Sequence, residues 1–377
     1  MIAPFANRTQ DARASTGLAA PQRNDATPTL YNVQILRLLA ALVVVLGHAL
    51  HELEQLSGPT SVSQWRPLPW GFGVDIFFVI SGFIMFIVAR DSFGSLAATK
   101  AFLARRLERI APLYWLFTTL ALAMAAAGLG KAHGLDWGQI LASYLFFPMF
   151  RADGEIRPIL SVGWTLNYEM LFYALFGASM LLPRRAGLIA LGVSLCALAA
   201  LGPFVKGGPA FLVYWTSPII LEFGAGLAIG YLYYKGVRAP LTLAIAMAVI
   251  GLALAGAPWP PLDRALICGG PAALIVAAAA LGPNPTRLNL LTRPFVAGGD
   301  ASYAIYLSHI FTINACSLVL SRLGIDNAFV FLSAALVGSV AVGAVTRLMV
   351  EKPLLRWSRK HGLGRLGRGA AVARQPA

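Results

Sequence analysis

Charge is what this chain has least of. Only 12% of its 377 residues are Asp, Glu, Lys or Arg, about half the share of an ordinary soluble domain. A soluble domain of this length needs a far larger charged surface. Acidic residues are scarcer still, 16 against 30 Lys and Arg. Cysteine is rare as well: Cys196, Cys268 and Cys316 each lie in an apolar run. They show neither metal-ligand spacing nor a disulfide framework, so they read as small packing residues and no metal is expected. No repeat at a solenoid period and no clear inverted repeat is visible, which disfavours the commonest transporter architectures. What is abundant is apolar surface: 58% of the residues are hydrophobic and mean hydropathy is +0.69. That excludes a disordered chain and leaves a polytopic membrane protein.

The net charge of +14 can signal a nucleic-acid partner. In a membrane protein it has a plainer source, because Lys and Arg collect in cytoplasmic loops. No nucleic acid is expected. Residues 1–30 are polar, Ala-rich and broken by Pro4, Pro21 and Pro28. No apolar core follows a basic start there, so the segment reads as a flexible tail rather than a cleaved signal peptide. The last twenty residues read as a basic tail, 358–377, after a membrane domain over 31–357.

Ten helical spans are expected near 33–51, 72–90, 109–128, 164–182, 187–203, 212–234, 241–257, 264–282, 301–322 and 328–350. Each approaches the roughly 20 apolar residues needed to cross a bilayer. A shorter stretch, 138–150, ends at Pro148 and suits a re-entrant or interfacial helix. If it does not cross and the N-terminus is inside, most of the basic residues fall inside. These include Arg184-Arg185, Lys235, Arg238, Arg287, Arg293 and the runs at 90–109 and after Arg347. Arg66, Lys131, Arg151, Arg157, Lys206, Arg264 and Arg322 remain outside. The positive-inside rule therefore predicts an all-α bundle of ten spans with both termini cytoplasmic, in a bacterial-type inner membrane. Asn7-Arg8-Thr9 matches a glycosylation pattern, but this topology places it inside.

Ionisable groups within spans are costly and mark functional interiors. Arg37 and His48 share the first span, about 16 Å apart along the axis. Eleven steps of about 100° return to nearly the same face. Snorkelling of Arg37 and an interhelical hydrogen bond from His48 would explain the pair equally simply. Asp75 opens the second span and Glu169 sits near the start of the fourth. Both spans enter from outside, so His48, Asp75 and Glu169 are expected to converge in the outer half. Such a set suits general acid–base chemistry or a proton relay. Ser81-Gly82 and the pair Gly226 and Gly230 offer close helix contacts. Arg106 and Arg109, three apart on one helical face, can clamp a phosphate or simply anchor the inner face. Glu222 and His309 lie mid-span, either lining a cavity or satisfied between helices.

Six stretches, taken in order, resemble the acyltransferase type 3 family of integral membrane acyltransferases. They are Asn32 to Arg37 leading to His48, Gly73-Val74-Asp75-Ile76-Phe77-Phe78-Val79-Ile80-Ser81-Gly82-Phe83, and Arg106-x-x-Arg109-Ile110-x-Pro112-x-Tyr114. They continue with Trp164-Thr165-Leu166-x-x-Glu169-x-x-Phe172-Tyr173, Ser302-Tyr303-x-Ile305-Tyr306-Leu307-x-His309, and Glu351-Lys352-Pro353. The chain is most similar to the exopolysaccharide-acetylating branch. The resemblance implies transfer of an acyl group, usually acetyl from acetyl-CoA as co-substrate, to a hydroxyl of an extracytoplasmic or lipid-linked saccharide. It implies catalytic roles for Arg37, His48 and Glu169 and acyl-CoA binding by Arg106 and Arg109. Asp75, Ser81, Trp164, Glu222 and His309 are expected to line the acceptor cavity. Some relatives add an esterase-like domain, which the short stretch after Trp357 is not expected to hold. A proton-coupled transporter built on His48, Glu169, Glu222 and His309 is the rival reading, and a scaffold without chemistry the third.

Overall fold

The computed structural model describes residues 30–361, apart from 66, 70, 129–135, 261 and 262. The expected N-terminal tail with Asn7-Arg8-Thr9, and the basic tail beyond residue 361, lie outside the described residues. Among the described residues the chain is helical, with a lone antiparallel bridge between Phe150 and Ile156. The helices are α1 (Tyr31–Ser57), α2 (Phe72–Ala89), α3 (Leu96–Ala126), α4 (Trp137–Tyr144), α5 (Trp164–Ser179), α6 (Arg184–Leu201) and α7 (Ala210–Trp215). There follow α8 (Leu221–Tyr234), α9 (Leu241–Ala255), α10 (Gly270–Leu281), α11 (Arg293–Arg322), α12 (Ala328–Thr346) and α13 (Lys352–His361).

Among the described residues, six helical segments are long and apolar enough to cross a membrane: α1, α2, α3, Arg184–Phe204, α11 and Ala328–Ser358. Pro218–Tyr234, α9 and Ala265–Leu281 are apolar but shorter. The protein is therefore a multi-pass helical membrane protein. The segment expected at 212–234 is broken, because Pro218 follows Ser217 and biases it to an extended conformation, ψ 135°. Two helices start earlier than their apolar runs. Ser95 caps α3 by accepting from the Ala98 amide, and Pro294 sits in the first turn of α11. Arg106 and Arg109 consequently lie within α3 rather than at its start. The 138–150 stretch forms only the 8-residue α4, a rise of about 12 Å against a hydrocarbon core of about 30 Å.

Helix α2 is the central pillar, packed by α1, α8, α10 and α5. Lipid tails are as apolar as Leu, so close packing rather than water exclusion has to hold such a bundle together. Gly82 and Gly226 supply it at the α2–α8 crossing. A Cβ on Gly82 would lie 2.1 Å from the Phe223 carbonyl oxygen, and one on Gly226 2.0 Å from that of Val79. Gly230, one turn further, lies over Phe86. The expected small-residue face thus packs within one chain. Beside it, Phe223 stacks on Phe172 and Phe78 with centroids 4.4 and 4.7 Å apart, locking α5 and α8 against α2.

Candidate active site

Among the described residues, two polar chambers lie along α1 and share part of their walls. The first, of about 330 Å³, is bounded by α1, α2, α3, α5 and α11. Arg37, Arg106 and Arg109 line it together, with Gln34, Ser81, Glu169, Tyr173 and Tyr303. The i and i+3 spacing places Arg106 and Arg109 on the same face of α3. Arg37 donates to Gln34 Oε1 at 3.0 Å, one turn earlier on α1. Glu169 accepts from the Tyr173 hydroxyl, one helical turn ahead, and from Ser81 Oγ at 3.3 Å. Tyr303 donates to the Ile110 carbonyl at 2.7 Å, in the turn of α3 that holds Pro112. The guanidinium of Arg106 also lies 5.7 Å from the centre of the Phe102 ring.

Three guanidinium groups around one small cavity repel one another, and low dielectric strengthens that repulsion. Counter-charge comes from two sides. Glu169 faces Arg106 and Arg109. Glu351, buried in a π-helical turn over Arg347–Glu351, and Asp300 face Arg37. Arg347 donates to the carboxylate of Asp300 at 3.0 Å and so ties α11 to that turn. The chamber keeps a cationic lining that an anionic or strongly polarised ligand would complete.

The second chamber, of about 630 Å³, lies further along α1. His48, His51 and Glu54 line it from α1, Trp164 and Tyr168 from α5, and Arg157, Ser217 and Arg264 from connecting segments. Val74 and Tyr306 belong to the walls of both chambers. Tyr306 is held from both directions: its hydroxyl donates to the Val162 carbonyl at 2.7 Å and lies 2.9 Å from Thr165 Oγ1. His309 stands behind His48, ring centroids 5.1 Å apart. Its Nδ1 lies 2.7 Å from the Tyr306 carbonyl. A carbonyl can only accept, so Nδ1 carries the hydrogen and Nε2 presents a lone pair.

Arg37 and His48 therefore both face the interior, as their spacing on α1 requires, but in different chambers. The expected meeting of His48, Asp75 and Glu169 does not occur. Glu169 belongs with the arginines, because α5 presents it one turn before Tyr173 and toward α3. Asp75 is fully buried and pairs with Arg264 at 2.5 Å. Asp75, Glu222 and His309 line neither chamber; all three are packed between helices. Ser81 lines the first chamber and Trp164 the second. Sequence reasoning missed Gln34, Tyr173, Tyr306, Arg157 and Arg264 as wall residues. Tyr173 carried a signal, since it follows Glu169 at i+4. So did Arg264, since a buried Asp75 demands a cation.

A family model described as an acyltransferase domain matches residues 30–348. The chain belongs to the acyltransferase type 3 family. Both chambers lie within the matched region. The exopolysaccharide production protein ExoZ of Rhizobium meliloti (strain 1021) is 38% identical over 306 residues, 79% of this chain and 94% of that protein. Nodulation protein 10 of Rhizobium leguminosarum bv. viciae is 27% identical over 368 residues, 86% of this chain and 93% of its own. Acyltransferase MdmB of Streptomyces mycarofaciens is 25% identical over 335 residues, 80% and 83% of the two chains. No solved structure matches. This type 3 acyltransferase is an enzyme and an O-acyltransferase of the membrane, and its similarity to ExoZ places it in the exopolysaccharide branch.

Proposed function

We propose that the protein moves an acetyl group from acetyl-CoA to a hydroxyl of a saccharide on the far side of the cytoplasmic membrane, either in an exopolysaccharide or on a lipid-linked precursor. The observation that carries this reading is the pairing of a three-arginine chamber with a histidine chamber across one shared wall. The name of the 38% identical relative, an exopolysaccharide production protein, supports the acceptor class. The rival transporter reading gives the arginine chamber no task. On this reading the ten-span topology holds, with both termini cytoplasmic and the first chamber toward the inside.

Arg37, Arg106 and Arg109 hold the donor through its phosphates and polarised groups. A chamber of about 330 Å³ is at the small end for a ligand site. It suits the pantetheine arm, with the nucleotide at the inner mouth. Glu169, fixed by Tyr173 and Ser81, keeps Arg106 and Arg109 in place. The thioester passes the Val74–Tyr306 wall and meets the acceptor hydroxyl beside His48. His48 takes the hydroxyl proton as the oxygen attacks the thioester carbonyl. The carbon–sulfur bond then breaks, the acetyl ester is released, and the proton passes from the imidazolium to the CoA thiolate. His309, with its own hydrogen fixed toward Tyr306, sets the orientation of His48 from behind.

The test is the O-acetyl content of exported polysaccharide in a deletion strain complemented by wild type or by His48→Ala at matched membrane levels. Wild type restores the esters and His48→Ala does not. Equal restoration would move the chemistry away from His48.

A further inference from the structure

A polar pocket of about 620 Å³ lies outside both chambers, at the end of the bundle where α1 begins. The segments around it are tied together. Asn32 Nδ2 donates to the Pro283 carbonyl at 2.8 Å, which fastens the segment after α10 to the first turn of α1. The Ala239 amide donates to the Leu281 carbonyl at 2.9 Å, which fastens the segment after α8 to the end of α10. Arg238 lines this pocket. Its guanidinium carbon lies 3.9 Å from the centre of the Tyr233 ring, and that ring packs edge-on against Phe83 with centroids 5.8 Å apart. Arg238 Nη1 donates to the Tyr233 and Val237 carbonyls at 2.9 and 2.7 Å. The cation is thus held in place by neutral groups through one of its nitrogens. Among the described residues no carboxylate pairs with it.

Through Gly282 and Pro283 the pocket continues into an apolar groove of about 410 Å³ between α1, α2, α9 and α10. Helix α1 serves two sites at once. Steps of about 100° put Gln34 and Arg37 on the face that lines the first chamber, and Asn32, Leu36 and Leu39 on the opposite face, along the groove. Leu241, Ile245 and Leu252 form the α9 wall, and each is more than half exposed. Apolar side chains so exposed in a membrane bundle face lipid, so the groove opens sideways into the bilayer. It runs from Asn32 to Val43 on α1 and from Leu241 to Leu252 on α9, a rise of about 16 Å along either helix. That is about half of a hydrocarbon core of about 30 Å, the depth of one leaflet.

We infer that this pocket and groove form a binding site for an anionic glycerophospholipid, with its phosphate on Arg238 and one acyl chain in the groove. Two features select this occupant. A groove one leaflet deep that opens sideways takes an alkyl chain, whereas the hydroxyls of a saccharide or nucleotide would be buried there without partners. A fixed guanidinium without counter-charge at the head of that chain takes a phosphate. Basic pockets between membrane helices bind lipid headgroups in this way. A zwitterionic headgroup brings its own cation to the same place, so a lipid with net negative charge is preferred. The site is separate from the two chambers and does not depend on the acyltransfer reading. The lipid bound there fills the gap between α9, α10 and α1, the helix that carries Arg37 and His48.

The test uses the full-length protein, purified in detergent and stripped of lipid. It is titrated with phosphatidylglycerol or with phosphatidylcholine of the same acyl chains, and native mass spectrometry counts the lipids bound. Wild type holds one phosphatidylglycerol about fivefold more tightly than phosphatidylcholine, the effect of one basic residue on an anionic lipid. Arg238→Gln, which keeps an amide donor for the carbonyls, binds the two lipids alike. Ala248→Trp fills the groove without touching the Arg238 bonds, and it loses the bound lipid. Equal binding of the two lipids by wild type overturns the inference, and this comparison decides alone if a variant does not fold. A preference that survives in Arg238→Gln, or a bound lipid that survives in folded Ala248→Trp, overturns it too. A dimer that carries no lipid and is broken by Ala248→Trp gives the groove to a second copy of the chain, which equally overturns it.

Discussion

Substituting Gly226 by Ala adds one methyl group where the α2 and α8 backbones touch. The new Cβ would sit 2.0 Å from the Val79 carbonyl oxygen and 2.7 Å from the Phe83 amide nitrogen. Carbon approaches a carbonyl oxygen to about 3.3 Å at closest, so the helices must part by about 1.3 Å at the crossing. Backbone cannot swing aside as a flexible side chain does. Overpacking of this kind costs about 1–3 kcal/mol. The functional loss should be larger than the loss of fold. Helix α2 carries Val74, which belongs to the walls of both chambers, and Ser81, which holds Glu169. A displacement of about 1 Å in a reacting geometry can cost 100-fold in rate. Gly224 supplies the control two residues away. A Cβ there meets only Leu195 Cδ1 at 3.6 Å, an ordinary contact. Thermal unfolding in detergent and O-acetylation in cells should therefore separate the two variants. Gly226→Ala lowers the melting temperature and nearly abolishes ester formation, whereas Gly224→Ala does neither. Equal behaviour of the two variants would refute the argument that the α2–α8 contact sets the chamber geometry.

The other expectations concern the chambers themselves. Arg106→Ala and Arg109→Ala each remove one charge-assisted contact worth about 1.5–3 kcal/mol, so acetyl-CoA affinity should fall by one to two orders of magnitude in a labelled-ligand binding assay. An unchanged affinity would place the donor elsewhere. Val74→Trp fills the shared wall; it should spare acetyl-CoA binding and stop O-acetylation, and continued esterification would remove Val74 from the acyl route. Tyr306→Phe loses the hydrogen bonds to Val162 and Thr165, about 1 kcal/mol each. Its melting temperature should drop by a few degrees and its O-acetylation should fall with the freed wall; no change in either would show that the tether is idle.

The sequence carried the fold class and most of the chemistry-bearing residues, because both rest on local signals. Apolar run length marks a membrane helix, and an Arg or His inside such a run stands out against it. The spacing of Arg37 and His48 placed both on one face of α1, and both face the interior. What the sequence did not carry is which side chains meet across helices. Glu169 and Asp75 enter from the same expected side as His48, yet α5 turns Glu169 toward Arg106 and Arg109. Asp75 turns away, toward Arg264. That choice depends on helix rotation, which is set by contacts such as Gly82 on Phe223 and Phe172 on Phe223 and not by depth. The break at Pro218 and the early starts of α3 and α11 were visible as Pro and Ser signals. The apolar runs outweighed them in the reading of span boundaries.

The separation of the arginines from His48 has a physical logic that one merged cavity would lack. On the proposed acetyl-CoA reading, a donor bearing several phosphate charges cannot be moved deep into a bilayer without heavy desolvation cost. Its acyl end is neutral and narrow. A wall of Val74 and Tyr306 can pass a thioester while excluding bulk water from the route between the chambers, which protects the thioester from hydrolysis. The guanidinium groups of Arg37, Arg106 and Arg109 then need to act only on the donor's charged and polar portion, and His48 acts on a hydroxyl without their charge added to that of Arg157 and Arg264 in its own chamber. Cations near an imidazole disfavour its protonated form, and a general base must accept a proton during attack. Placing Arg37 and His48 about three turns apart on α1 keeps one rigid helix between the two tasks. Bending α1 should therefore uncouple them. Ala41 is fully buried between the two residues, and Ala41→Pro would remove a helical hydrogen bond there. The variant should retain some acetyl-CoA binding while losing O-acetylation altogether. Parallel loss of the two activities, with the protein still folded by thermal unfolding, would mean that the chambers do not work as separate units.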